Sequence, residues 1–515
     1  MRMTLNTLIE DVKKNYNNVL LNHNGNTFTN EELDKMSNKF GNFLLMHNIK
    51  KGDRIGLLLD LTIDSVIAIF GILKIGAIYV PINPNQSVNN IKFIIKDTEC
   101  KILISEEEYL NSLSSYRNKI IVHNISDQVT TDKIDFMEYK ISSTNKIKMK
   151  IIDKDIVYIM YTSGTTGTPK GVMISHQCIM TFMNYVVNTF KHSINTRSLC
   201  RTPIYFDPFL TEIIPSIISG GQVYIQSKNV SITKLLMFIE KNKITNLGCG
   251  PSLLYLLVDN KHLLKKYDMS SLEEIYIGYE KCNIKLIKNL QKILPNVDFI
   301  NGYGTTETFA ASTFYVIPNL LENSMIDIPI GEPIDGVDLF VINDNYEKVE
   351  CNEVGEIILR GKTLFNGYWN NIEETTKYLK KNPLFKESNE LVYYTSDLAK
   401  IDSDGNIFFV GRKDDQIKIR GFRVELGEIK HVLENSYFIK ECCILKINNN
   451  LVCFYSSYID IEKNSIINFC KERLEDYKIP NKWFILDELP RNANGKIDKK
   501  ELESYYNKNI SKIYQ

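Results

Sequence analysis

Short apolar runs alternate with stretches of helical period through roughly the first 400 residues. Ile55–Leu59 reads as a strand, Ser65–Lys74 as a helix and Ala77–Pro81 as a strand, with further strands over Ile102–Ser105 and Ile120–His123. This alternation predicts an α/β architecture built mainly on parallel sheets. The most apolar window, Val66 to Ile82, is interrupted by Lys74 and carries Pro81 near its end. It predicts a buried helix followed by a strand, not a membrane span. A change comes near Gly411, where Gly411-Arg-Lys-Asp-Asp-Gln-Ile-Lys-Ile-Arg-Gly-Phe-Arg423 is charged and punctuated by glycine. The remaining stretch of about a hundred residues is enough for a small α+β domain. Its expected helices are Leu426–Asn435 and Ser465–Leu474, and its expected strands Glu441–Lys446 and Leu451–Tyr458. The pattern therefore predicts a large N-terminal domain over 1–413 and a small C-terminal domain over 414–515. No internal repeat and no low-complexity linker interrupts it.

Composition narrows the function classes. The 515 residues, 43% of them hydrophobic, can bury a large core. Sixty-two basic residues balance 62 acidic ones, so no global field favours nucleic acid or anionic lipid. The first residues lack the apolar core of a signal peptide. The 10 cysteines have no metal-type spacing, and a reduced, cytoplasmic chain is expected.

The most informative stretch is Tyr161-Thr-Ser-Gly-Thr-Thr-Gly-Thr-Pro-Lys-Gly171, which follows an expected strand over Ile156–Met160. Glycines let a backbone approach a ligand and present N–H groups to an anion. The hydroxyls of Thr162, Ser163, Thr165 and Thr166 can donate to phosphate, and Lys170 adds a positive charge. It is not a Walker loop, because Pro169 stands where the second glycine should be and no Ser or Thr follows Lys170. A polar turn is the bland alternative, but this density of hydroxyls with a terminal lysine favours phosphate.

This loop closely resembles the signature of the adenylate-forming superfamily: acyl-CoA synthetases, luciferase and nonribosomal peptide synthetase adenylation domains. The resemblance covers nearly the whole chain, in order. Leu73-Lys-Ile-Gly-Ala-Ile-Tyr-Val-Pro-Ile-Asn-Pro84, Asn301-Gly-Tyr-Gly-Thr-Thr-Glu-Thr308, Gly355-Glu-Ile357, Asn366-Gly-Tyr368, Gly411-Arg-Lys-Asp414 through Glu428-Ile429 and Asn494-Gly-Lys-Ile-Asp498 all match family motifs. The style is closest to amino-acid adenylation domains. The resemblance implies ATP and Mg²⁺, a small mobile C-terminal domain, and an active site between the two domains.

The chemistry explains the residue types. A carboxylate must approach a phosphate, and two unit charges 4 Å apart repel by roughly 4 kcal/mol at an effective dielectric of ~20. Positive charge must therefore gather where they meet. By the resemblance Lys496 supplies it as the catalytic cation; by its own sequence it is a turn lysine. Glu307 would hold the metal, or simply occupy the first turn of a helix. Tyr303 would stack on adenine, or pack in the core, and Gly304, Thr305 and Thr306 follow it along the nucleotide. Gly164 belongs to the phosphate loop. Asp397 would hold the ribose, and Arg412 would reach the nucleotide; their plain readings are a turn carboxylate and a surface ion pair. Asp414 would be the hinge, or a turn-capping residue. Here the chain departs from the family: it has Thr395-Ser-Asp397 where Thr-Gly-Asp is usual, so a positive φ at Ser396 would carry strain. His176 reads as a packing or hydrogen-bonding residue, not a base.

Phe206-Asp207 lies where peptide synthetase domains carry the Asp that binds an α-ammonium. Buried aspartate needs a cation, and an α-amino acid offers one, gripped between Asp207 and Lys496. Yet Asp207-Pro208 also suits a helix start, with Asp as cap and Pro at the first position. The remaining pocket residues implied are Thr211, Gly248, Tyr276, Gly278, Gly302, Ala310 and Ala311, with Pro208. Most are small, which predicts a roomy pocket without a charged partner, unless Tyr279 refills it. Nineteen residues follow Lys496, so the expected acceptor is a separate carrier-protein phosphopantetheine, or CoA, entering beside Lys418–Arg423 after rotation about Asp414. The alternatives are an acyl- or aryl-CoA ligase and a non-catalytic nucleotide-binding homologue. A luciferase-like oxygenase has no positive support.

Overall fold

The computed structural model describes residues 4–16, 18–113, 119–123, 133–162, 168–226, 230–278, 280–320, 325, 327–385, 387–413, 416–419, 422–448, 450–491 and 497–511. The chain divides into two compact units. One comprises Met1–Pro84, Ile95–Tyr161 and Gly171–Lys413; the other comprises Asn85–Ile94, Thr162–Lys170 and Asp414–Gln515.

Two α/β sheets organise the first unit. A seven-stranded sheet has the order Lys133–Asp135, Lys119–His123, Ile102–Glu106, Arg54–Leu58, Ile78–Pro81, Ile156–Thr162, Lys170–Ser175. Its pairings from Lys133–Asp135 through Ile156–Thr162 are parallel. The expected strands all appear, each within a residue or two of its predicted ends. The apolar window divides as its pattern predicted, into a helix over Ile63–Lys74 and the strand Ile78–Pro81. Thr62 and Ser65 cap that helix reciprocally. Lys74, the apparent interruption, is buried: its ammonium meets Asp34 Oδ1 at 2.5 Å and Asn38 Oδ1 at 2.9 Å on the Asn30–Met46 helix.

The nine-stranded sheet has the order Glu332–Pro333, Thr313–Ile317, Asp298–Tyr303, Glu274–Ile277, Asn246–Cys249, Arg197–Cys200, Gln222–Ile225, Val19–His23, Asn26–Thr29. Its centre is parallel and its margins are antiparallel. In open sheets of this kind ligands gather at the carboxyl ends of the strands, where Cys249, Ile277 and Tyr303 lie. A third, five-stranded sheet is wholly antiparallel, from Val337–Ile342 to Ile407–Arg412. It departs from the expected βα alternation.

In the second unit the strands Ile439–Ile447, Asn450–Ser457 and Lys482–Ile485 form one sheet with a core on each face. Alternation explains it: Cys442, Ile444, Cys453 and Tyr455 enter one core, and Cys443, Leu445, Val452 and Phe454 the other. The helices Leu426–Glu434 and Lys463–Lys471 fall close to the predicted spans. All ten cysteines are free thiols. Among the described residues no helix is long and apolar enough to cross a membrane.

Candidate functional site

The segment from Asn301 to Ser312 carries half of the site residues in the first unit. It leaves the nine-stranded sheet at Tyr303, makes a short turn over Thr306–Thr308 and returns to the sheet at Thr313. The turn is tight. A Cβ on Gly304 would lie 2.4 Å from the Ala310 carbonyl oxygen, so only glycine fits there. Phe309 and Ala310 both have positive φ, 57° and 59°. Such backbone needs support from its surroundings, and the fully buried Phe309 ring packs edge-on against Phe182 at 5.3 Å.

At one end of this segment Tyr303 donates its hydroxyl to Asp397 Oδ2 at 2.6 Å, and Arg412 donates to Asp397 Oδ1 at 2.7 Å. The sequence had placed these three on one nucleotide, and the fold brings them into one cluster. Asp397 and Arg412 are adjacent because their strands pair in register in the antiparallel sheet. Burial and the Asp397 carboxylate push the Tyr303 phenol well above its ordinary pKa. It stays protonated as a donor, and its ring lies 6.3 Å from that of Phe409. Each carboxylate oxygen of Asp397 has a second lone pair with which to accept a hydroxyl.

Ser396 adopts φ 60°, the strained geometry its replacement of glycine implied. Three bonds hold it there. Its N–H reaches Glu356 Oε1 at 3.1 Å, the Lys413 N–H reaches its carbonyl at 2.8 Å, and the Asp397 N–H reaches Thr395 Oγ1 at 3.0 Å.

Glu307 is fully buried in the Thr306–Thr308 turn and accepts from the Tyr368 hydroxyl at 2.8 Å. Tyr368 and Glu356 had no role assigned by sequence; their signal was the motifs Asn366-Gly-Tyr368 and Gly355-Glu-Ile357. Among the described residues no group of three or more His, Cys, Asp or Glu is arranged to hold a metal. A single carboxylate still fits Mg²⁺, which takes one or two carboxylates and completes its shell with phosphate and water.

Asp207 precedes the Pro208–Ser219 helix, but its own backbone is already helical and its side chain makes no capping bond. The carboxylate is turned instead to the Ala310 N–H, which donates to Oδ2 at 3.2 Å. It is only 9% exposed. Of the other expected pocket residues, Thr211 bonds back to the Pro208 carbonyl at 2.8 Å and Phe206 packs on Tyr205. Tyr276 donates to Glu274 Oε2 at 2.8 Å. Gly248, Tyr276 and Ile300 are in register on three neighbouring strands. Gly278 and Gly302, two positions on, therefore share their face of the sheet, where Ala311 closes in on Gly302. His176 is buried, accepts from the Leu5 N–H at 3.2 Å and is pushed down to about 4 by burial, as suits a packing residue.

Thr162 and Lys170 belong to the second unit, at the end of one strand and the start of the next. Ser163, Gly164, Thr165, Thr166, Tyr279, Asp414 and Lys496 lie outside the described residues, as do parts of the Lys418–Arg423 region.

The AMP-binding enzyme family matches residues 8–369. The chain belongs to that family of adenylate-forming enzymes, whose members use ATP, usually with Mg²⁺. It is 30% identical over 496 residues to zwittermicin A synthase ZmaJ of Bacillus cereus, covering 92% of this chain and 90% of that protein. It is 31% identical to part of bacitracin synthase 1 of Bacillus licheniformis, over 92% of this chain but only 9% of that protein's length. Its fold resembles the Vibrio cholerae adenylation domain AlmE in complex with glycyl-adenosine-5'-phosphate, with TM-score 0.83 and 22% identity over 98% of this chain and 97% of the other.

Proposed function

We propose that this chain activates an α-amino acid as its aminoacyl adenylate and then passes the aminoacyl group to a phosphopantetheine thiol. In the first step a carboxylate oxygen of the amino acid attacks the α-phosphorus of ATP. The new bond is C–O–P, the bond broken lies between the α-phosphorus and the bridging oxygen, and pyrophosphate departs. In the second step the thiolate attacks the acyl carbon and AMP leaves with the former carboxylate oxygen. Tyr303, Asp397 and Arg412 hold the nucleoside. Thr162, Ser163, Gly164, Thr165, Thr166 and Lys170 receive the phosphates, and Lys496 neutralises the meeting anions. A Mg²⁺ held by Glu307 would draw charge from the phosphate oxygens.

The observation that carries the choice of an amino acid is Asp207. Its carboxylate is buried, makes no capping bond and is aimed at the strained Phe309-Ala310 turn. A carboxylate in that setting is stabilised by a cation, and an α-ammonium supplies one. Fatty and aryl acids do not, so a CoA ligase for such acids would gain nothing from it. The test is ATP–pyrophosphate exchange across L- and D-amino acids and a panel of aryl and fatty acids. Amino acids are expected to support exchange. Asp207→Ala is expected to lower kcat/KM for them by ten-fold or more while sparing their des-amino analogues. Equal losses for both would reject the ammonium role.

A further inference from the structure

The pocket expected from sequence is floored by glycines, and the structure shows what occupies the volume they leave. Gly248 and Gly302 lie on one face of two strands, and Gly278 stands on the same side just past the end of the Glu274–Ile277 strand between them, with neighbouring strands about 4.8 Å apart. Among the described residues a Cβ on Gly278 would meet only the Gly302 carbonyl oxygen, at 3.9 Å, so no described side chain closes over Gly278. The spaces beside it are closed. A Cβ on Gly302 would meet Phe314 Cε1 at 3.0 Å, Phe314 Cδ1 at 3.3 Å and Ala311 Cβ at 3.4 Å. A Cβ on Gly248 would meet Glu212 Oε1 at 3.4 Å.

Neither wall can easily withdraw. Phe314 sits opposite Gly302 in the antiparallel pairing. Its ring is backed by Phe190 edge-on at 5.1 Å, Tyr185 stacked at 6.1 Å and Phe182 at 5.9 Å. Phe190 leans in turn on Tyr276 at 5.4 Å. On the other side, Glu212 accepts the N–H groups of Arg201 and Thr202, each at 2.9 Å, and the Thr202 hydroxyl at 2.7 Å. Those three donors tie the carboxylate to the end of the Arg197–Cys200 strand and account for its burial.

We propose that Phe314 determines specificity: its ring takes the volume freed by Gly302 and limits the site to a compact, uncharged side chain. The inference rests on the amino-acid reading above and names the substrate class within it. It narrows the roomy pocket that small residues alone implied. Phe314 had no place in that reading because it lies on a return strand beyond the motif.

The experiment is ATP–pyrophosphate exchange with amino acids graded by side-chain size, on wild type, Phe314→Ala, Phe314→Leu and Gly278→Ala. Wild type is expected to prefer compact side chains. Phe314→Ala is expected to raise kcat/KM for bulky apolar side chains at least ten-fold relative to the best wild-type substrate, chiefly through KM, the scale one or two methylenes command in a pocket. Unchanged ratios in a Phe314→Ala protein with a cooperative melt would overturn the proposal. Should that variant not fold, Phe314→Leu decides, since it shortens the ring but keeps an apolar side chain on the strand: bulky side chains must gain relative to compact ones, and an unaltered size ranking overturns the role of Phe314. Gly278→Ala reports separately whether the substrate side chain reaches the floor. If only aryl or fatty acids support exchange, the amino-acid reading falls by itself. The size ratio is then measured on those acids, and a flat response still rejects Phe314.

Discussion

Ser396 shows how one residue can be out of keeping with its own backbone. At φ 60° it occupies a region that costs a non-glycine residue about 1–2 kcal/mol. It is retained because its two neighbours in the chain must present Thr395 to the Ile357 carbonyl and Asp397 to Tyr303 and Arg412. Ser396→Gly is expected to raise stability by about 0.5–1 kcal/mol, the relief being partly offset by the greater freedom of glycine in the unfolded chain. The urea midpoint measures it, and a lowered midpoint would mean that the serine hydroxyl contributes more than the strain removes. The strain was legible in sequence as soon as the Thr-Ser-Asp run was compared with its usual form. The carboxylate that secures it, Glu356, was not, because it comes from a strand forty residues earlier.

At the scale of elements, the Leu426–Glu434 helix carries a buried charge imbalance. Glu428, Glu475, Glu425 and Lys478 are all less than 5% exposed. The Lys478 ammonium lies 2.8 Å from Glu428 Oε1 and 2.8 Å from Glu475 Oε2. Burial pushes the Glu428 carboxyl up to about 7; Lys478 opposes the shift, and Glu475 and Glu425 add to it. A carboxyl raised in the folded state keeps a proton that the unfolded chain has already lost. Stability therefore falls as pH rises from the ordinary glutamate range to about 7, and the loss is complete above it. The second unit is expected to lose about 1–3 kcal/mol over that window. Glu428→Gln should flatten the dependence in urea titrations at pH 5 and pH 7.5, and an equal slope in the variant would place the titrating proton elsewhere. The pairing was invisible in sequence, where Lys478 stands fifty residues from Glu428.

At the scale of the whole molecule, activity on this proposal needs a cation from the C-terminal segment. Lys496→Ala is expected to reduce pyrophosphate exchange about 10²–10³-fold, the scale of losing one preorganised charge partner. Binding of the amino acid and ATP should fall far less, as measured by calorimetry. Near-normal exchange would remove Lys496 from the chemistry.

The sequence by itself determined the α/β alternation, the strand leading into the phosphate loop, the small α+β segment and the family. These rest on local periodicity and on motifs whose residues are neighbours in the chain. It could not decide whether Asp207 caps its helix or faces Ala310, because one carboxylate can do either and only the Asn301–Ser312 turn, folded back from a hundred residues away, offers the competing N–H. It also missed the antiparallel sheet that joins Asp397 to Arg412, and the ring of Phe314 beneath its glycines. Cross-strand register and side-chain volume are properties of the packed chain, set by which distant segments share a face.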